Sequence, residues 1–315
     1  MNGFSKKTLL RLIERATGMA VGTVSFRRVP TGKFNTTFEV STGSGSYILR
    51  IAPPDDAGFI FYERRMMAQE PDLYRCVRDN TTVPVPDVYL YDDSRDLIDR
   101  DYIVMERLPG RPLTEAGPGR VSMPRVLETV GDFLKQIHGI TANQYGYLGA
   151  HRPMAPASTW GEAFETMWRK LLDDLVACGG YSDDDRTYMA NLFDRNRPLF
   201  DTQGPARLLH MDVWHQNILV DDTGEVTGLI DMDRALWGDP EIEFAVLDYC
   251  GISEPPFWQG YGSRRDTSPD ARRRALFYLL YEIQKYVIIR MWRTHDPRDA
   301  ARYRAESFRI AQTIV

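Results

Sequence analysis

Residues 210–239 read HMDVWHQNILVDDTGEVTGLIDMDRALWGD, and this stretch decides how the chain is understood. Asn217 opens an apolar run, Ile218-Leu219-Val220, and Asp221 to Glu225 supply turn chemistry before a second strand from Val226 to Ile230. Two short strands around a Gly-containing turn form a β-hairpin. With Thr223 and Gly224 at the tip, position 217 falls opposite about position 230. Asn217 and Asp231 then face each other across the hairpin mouth, and Asp212 lies in the loop that feeds it. Oxygen donors without a nearby thiolate suit a hard cation such as magnesium. A zinc cluster of His210, Asp212 and His215 is disfavoured, because no Cys is near and no helical i,i+4 His pair exists. Asp239-Pro240-Glu241 reads as a helix start, with Asp as N-cap, Pro at the first helical position and an acid in the first turn.

His210-x-Asp212-x-x-x-x-Asn217, followed by an apolar hairpin ending in Asp231, resembles the catalytic loop and metal-binding Asp of protein kinases. The later Gly238-Asp239-Pro240, with no DFG or APE signature, is more similar to the aminoglycoside phosphotransferase-like small-molecule kinases, which include choline and fructosamine kinases. The resemblance implies an α+β, bilobal protein-kinase-like fold. A small antiparallel-sheet lobe spans residues 1–107, and a mostly helical lobe spans 108–315. It implies Asp212 as the catalytic base for a substrate hydroxyl, Asn217 and Asp231 as magnesium ligands, and His210 as a brace of the loop. The phosphate donor is then ATP or GTP, and the acceptor is a small molecule with a hydroxyl group.

The first half of the chain supplies the nucleotide side of this reading. Ser5 caps a first helix with Leu9, Leu10, Leu12, Ile13 and Ala16 on its apolar face. Phe38 to Val40 and Tyr47 to Ile51 form a hairpin around a Gly/Ser turn. In its second strand Tyr47, Leu49 and Ile51 share one face, and Ile48 and Arg50 the other. By resemblance the loop from Gly32 to Thr37, including Asn35 and Thr36, covers the nucleotide phosphates. It carries one Gly rather than the three of G-x-G-x-x-G. Arg50 takes the place of the strand Lys that holds the α- and β-phosphates, keeping the charge and adding a fork of donors. Residues 59–69 read as a helix that Pro71 ends, with Glu63 as the candidate partner of Arg50 or else an ordinary exposed Glu. Tyr102 to Glu106 is a strand, and the Gly/Pro-rich 107–112 is the best lobe boundary. By resemblance it is the hinge, where the main chain of Glu106 and Leu108 reads the nucleobase.

Helical spacing from Met123 to His138, from Trp160 to Ala177 and from Tyr278 to Trp292 predicts core helices of the larger lobe. Residues 239–266 carry six acids and two bases together with Phe257, Trp258 and Tyr261. Acids plus aromatics suit a cationic acceptor, such as an aminoglycoside or a choline-like amine; the alternative is an acidic loop anchored in the core. Trp214 borders the acceptor or packs.

A net charge of −5 argues against a dedicated nucleic-acid binder. The ten Lys/Arg against four acids in 271–315 read most simply as a solvated helix face. Cys76, Cys178 and Cys250 are widely spaced, which suits a reducing cytoplasm. The N-terminus lacks a long apolar signal core, and no apolar run reaches membrane-spanning length. Two further readings stay open: a nucleotide-binding scaffold without catalysis, and a kinase of a metabolite such as an amino alcohol or a sugar amine, or of a macrolide.

Overall fold

The computed structural model describes residues 4–18, 22–30, 34–43, 45–55, 58–117, 119–202 and 204–314. Helix α1 (Lys6–Thr17) starts where expected, with Ser5 Oγ accepting from the Thr8 N–H at 3.0 Å. Its buried Leu9, Leu12 and Ile13 pack on one face of a five-stranded antiparallel sheet. The strands are β1 (Ser25–Val29), β2 (Thr36–Thr42), β3 (Gly45–Ile51), β4 (Val88–Asp92) and β5 (Tyr102–Glu106), in the order β1-β2-β3-β5-β4. The predicted alternation in β3 holds. Leu49 and Ile51 join the α1 core, whereas Ile48 and Arg50 line a cleft on the opposite side. Of the phosphate-loop segment, residues 31–33 lie outside the described residues.

Pro71 begins a helix rather than ending one. Residues 61–65 are turns, Met66–Gln69 is a single 3₁₀ segment, and α2 spans Glu70–Asn80 with Pro71 in its first turn. The missing proline N–H costs nothing there, because first-turn amides have no intrahelical acceptor.

Strand β6 (Arg111–Pro112) leads into the helical part of the molecule. There α3 (Met123–Ile137) and the two-residue β7 (Thr141–Ala142) precede α4 (Trp160–Ala177) and α5 (Asp183–Asn196). Both α4 and α5 open on capping boxes, Thr159 with Glu162 and Ser182 with Asp185, which satisfy orphan amides at the helix start. Strands β8 (Ala206–Leu209), β9 (Ile218–Val220), β10 (Val226–Leu229) and β11 (Leu236–Gly238) follow, and then α6 (Pro240–Cys250), α7 (Pro255–Tyr261), α8 (Pro269–Trp292) and α9 (Pro297–Ile314). Two three-stranded sheets form, β10-β9-β6 and β11-β8-β7. Trp160, Phe164, Trp168, Phe193, Phe200, Phe277 and Tyr278 build the large core, with Phe164 and Phe200 ring centres 4.8 Å apart. Helices α3 and α7 touch backbone to backbone at Gly131 and Gly260, where any Cβ would overlap a carbonyl of the facing helix.

The architecture is the expected α+β one, an antiparallel sheet beside a mainly helical body. Several arginines of the basic C-terminal region are ion-paired within the fold, Arg290 to Asp299 and Arg304 to Asp185, both at 2.7 Å. Among the described residues no helix is long and apolar enough to cross a membrane.

Candidate active site

The predicted hairpin is β9 and β10. Ile218 pairs with Leu229, and the Ile230 N–H donates to the Asn217 carbonyl at 3.1 Å, so the mouth has the expected register. A bulge at Thr227 absorbs the shift nearer the tip. His210, wholly buried, shares a hydrogen bond between Nε2 and the Ile230 carbonyl at 3.1 Å, and its Nδ1 accepts from the Asp212 N–H at 3.3 Å. One imidazole thereby ties the loop before β9 to the end of β10. From α6, Glu243 accepts from the His210 and Met211 amides at 3.1 and 2.7 Å and pairs with His138 at 2.8 Å. Burial pushes the Glu243 carboxyl up, but the His138 hydrogen bond and charge outweigh it and hold the group below its ordinary range.

This frame presents Asp212. Its Oδ2 accepts from Asn217 Nδ2 at 2.9 Å, and its Oδ1 accepts from Arg234 Nη1 at 3.2 Å. The same Asn217 Nδ2 donates to the Asp212 carbonyl at 2.9 Å. The amide nitrogen is therefore turned to Asp212, which leaves Asn217 Oδ1 as the donor atom for a cation. Asp231 sits at the hairpin mouth in the left-handed region, φ 71°, and its N–H donates to the Tyr74 hydroxyl at 2.9 Å. Met211, at φ 67°, is the second left-handed residue of the loop. Among the described residues no group of three or more His, Cys, Asp or Glu side chains could hold a metal unaided. One amide oxygen and one carboxylate fit a magnesium ion that completes its shell with phosphate oxygens and water.

The sheet side contributes Arg50, and its partner is not Glu63. Arg50 reaches Glu70 at 2.6 Å, Asp231 at 2.5 Å and Asp233 at 2.9 Å. Glu63 instead accepts from the Ile60 N–H at 2.7 Å and pairs with Arg293, just past the end of α8. The reason is the chain path. Residues 61–65 turn rather than spiral, so the first acid brought under β3 by a helix is Glu70, at the start of α2. Three buried or half-buried carboxylates share one guanidinium. Burial raises the Glu70 carboxyl to about 7 against the pull of Arg50, and burial with the Asp231 charge raises that of Asp233. Asn35 is buried beside them, its Nδ2 at 3.4 Å from Asp233 Oδ2 and its Oδ1 without a partner. Thr36 pairs with Ile51, whereas Thr37 pairs with Arg50 and lines the cleft in its place. Glu106 and Leu108 line the same cleft; the Glu106 N–H is already spent on the Asp87 carbonyl at 2.7 Å.

The cleft between the sheet and the helices encloses about 500 Å³. Asp212, Asn217, Asp231, Arg50, Asn35, Glu63, Glu106 and Leu108 all border it, which gathers the sequence-assigned residues except Thr36 into one place. The model of the phosphotransferase enzyme family (APH) matches residues 25–277. The chain belongs to that family. Named relatives include a "probable ketoamine kinase" of Vibrio parahaemolyticus, 25% identical over 272 residues that cover 81% of this chain and 83% of the relative. Another, of Vibrio cholerae, is 26% identical, covering 82% and 85%. Among solved structures, the aminoglycoside phosphotransferase APH(4)-Ia in ternary complex with AMP-PNP and hygromycin B has a TM-score of 0.68 at 19% identity, with 97% and 98% covered. A "putative fructosamine-3-kinase" of Haemophilus somnus has a TM-score of 0.70 at 16% identity, with 98% and 97% covered. These likenesses establish the kinase-like fold.

The acceptor end of this phosphotransferase differs from the charge-count expectation. None of the six acids of 239–266 borders the cleft. Asp239 caps α6, accepting from the Glu241 N–H at 3.1 Å, and takes the Tyr278 hydroxyl at 2.9 Å, as the Asp-Pro-Glu reading foresaw. Glu241 and Asp248 pair with Arg265, and Glu243 is buried under the loop. Phe257, Trp258 and Tyr261 pack around Phe244, with the Trp258 ring 4.8 Å from it, on the α3 side of α6. Neighbours in sequence, they serve the core. The cleft wall is made instead by Tyr249 and Cys250 of α6, by Glu282, Lys285 and Tyr286 of α8, and by Arg293 just past its end. Glu282, Lys285 and Arg234 escaped the sequence reading; a spacing of three along α8 was the signal that Glu282 and Lys285 share a face, and no local pattern marks Arg234, which lies between β10 and β11.

Proposed function

We propose that this phosphotransferase moves the γ-phosphate of ATP, with GTP as the alternative donor, to a hydroxyl of a small molecule in a magnesium-dependent reaction. The observation that carries the reading is the Asp212 carboxylate, held from two sides by Asn217 and Arg234 at a cleft that Asp231 and Arg50 also enter. Asn217 and Asp231 are the residues that would hold magnesium, which neutralises phosphate charge when bound. Asp212 orients the acceptor hydroxyl and takes its proton on a carboxylate lone pair left free by the two existing bonds. Arg50 holds phosphate oxygens, Asn35 and Thr37 cover them, and the main chain at Glu106 and Leu108 reads the base. Because the Glu106 N–H is occupied, its carbonyl and the Leu108 N–H are the assigned contacts. The lobes divide at residues 107–108. Three free cysteines support a reducing, cytoplasmic setting.

For the acceptor, the relatives named ketoamine kinases, matched over four-fifths of both chains, support a sugar amine. The wall of Glu282, Lys285 and Arg234 supports it over a polycationic aminoglycoside, which would need unpaired carboxylates. A coupled nucleotide-consumption assay with ketoamines, amino alcohols, aminoglycosides and macrolides tests this. Stimulation by ketoamines is expected; stimulation by aminoglycosides alone would replace the acceptor, and no magnesium-dependent nucleotide use would overturn the reading.

A further inference from the structure

Behind Asp212 lies a charged cluster that leaves cation donors unused. Arg234 and Lys285 are both buried, and they share a single carboxylate, Glu282. Arg234 Nη2 reaches Glu282 Oε2 at 3.1 Å, and the Lys285 ammonium holds Oε1, so both oxygens of Glu282 are engaged by cations. The other carboxylate within reach of Arg234 is Asp212, which the phosphotransfer reading commits to the acceptor hydroxyl. An ammonium has three donors. Lys285 uses one of them on Glu282, and its Nζ lies 4.7 Å from the centre of the Tyr286 ring. Arg234 Nε is buried with no partner at all. A desolvated cation with unused donors is costly unless an anion completes it. Burial and the Arg234 charge pull the Lys285 ammonium below its ordinary range, as expected for a cation short of counter-charge.

The cluster faces the cleft. Glu282, Lys285, Tyr286 and Ile289 recur at helical spacing on α8, Arg293 caps its C-terminus, and all border the cleft. Arg293 is already tied to Glu63 and to the Gly58 carbonyl, whereas Lys285 has one hydrogen bond, among the described residues, for its three donors.

We infer that the acceptor carries a carboxylate, and that Lys285 binds it while the sugar hydroxyl meets Asp212. The substrate class is then the ketoamine of an amino acid rather than of a simple amine. The inference rests on the phosphotransfer reading of the same cleft, and the test separates the two.

The pair of probes is fructosyl-glycine and its carboxamide, fructosyl-glycinamide, which differ in the anionic group. Binding is measured by calorimetry with AMP-PNP and magnesium, and phosphate transfer is measured separately with ATP. The wild-type protein should bind the acid about tenfold or more tighter than the amide, the range of a charge-assisted bond. Lys285→Gln should bring the two affinities together, and Lys285→Arg should keep the preference. Equal binding of acid and amide by the wild type, binding of neither, or a preference untouched by Lys285→Gln would overturn the inference. Transfer to the amide as efficient as to the acid would also overturn it while leaving the kinase standing. Acid-selective binding without transfer would support it and remove the phosphotransfer reading. The wild-type comparison of acid and amide needs no variant, so it decides the matter even where Lys285→Gln folds poorly.

Discussion

The two walls of the cleft are built by different physics. On the hairpin side, Asp212, Asn217 and Asp231 are fixed by backbone: a two-strand register, one buried imidazole and a buried Glu243 that takes two loop amides. On the sheet side, Arg50 is fixed by charge, caught among Glu70, Asp231 and Asp233. Backbone geometry holds its shape whether or not a ligand is present. A guanidinium shared by three carboxylates is held by a balance that phosphate oxygens can shift. Under the proposed function, the rigid wall would position the proton acceptor and the adjustable one would respond to the nucleotide.

The largest effect should come from the rigid wall. Asp212→Ala is expected to lower kcat by about 10²–10⁴-fold, the usual range for a positioned base, with nucleotide binding retained. Turnover near the wild-type rate would break the comparison at its base. Asp231→Ala should abolish the magnesium dependence of nucleotide affinity, read by titrating the nucleotide with and without the metal; an unchanged dependence would take Asp231 out of the metal site.

On the adjustable wall, Glu70→Ala removes one of three carboxylates from the buried guanidinium and should destabilise the fold by about 1–3 kcal/mol in denaturant titrations. A double-mutant cycle sharpens this. Arg50 should couple strongly to Glu70 and, within error, not at all to Glu63, which belongs to Arg293. Coupling to Glu63 instead would restore the pairing read from sequence.

The smallest effect concerns protons. His151 packs against Tyr147, which stacks on Tyr62 at the cleft, and both its ring nitrogens are buried without partners. Burial lowers its imidazole from 6.5 to about 4. The unfolded chain therefore takes up this proton first as the pH falls. The stability linked to the neutral ring is complete above about pH 6.5 and is lost as the pH drops towards 4. The loss in Tm between pH 7 and pH 5 should be smaller in His151→Phe than in the wild type; equal losses would show that this ring does not carry the linkage.

What was legible in the sequence follows the same division. Asp212, Asn217 and Asp231 lie within twenty residues, and a turn count alone put 217 opposite 230. The helices with capping or apolar period, such as those opening at Ser5 and Thr159, needed only local rules. The sheet-side contacts needed the chain path. Glu63 lost to Glu70 because Pro71 starts a helix as readily as it stops one. Thr36 lost to Thr37 by one residue of strand register. The acids of 239–266 failed as an acceptor signal because composition does not say which carboxylates are already taken, and here Arg265, His138 and helix amides take them.

Asp231 holds a backbone conformation, φ 71°, that glycine adopts freely and an L-residue adopts at a cost of about 1–2 kcal/mol. Asp231→Gly would relieve that backbone but take a carboxylate away from the buried Arg50. A copy of this gene released from selection therefore gains ease at this position only by giving up an ion pair, and the fold itself opposes the drift.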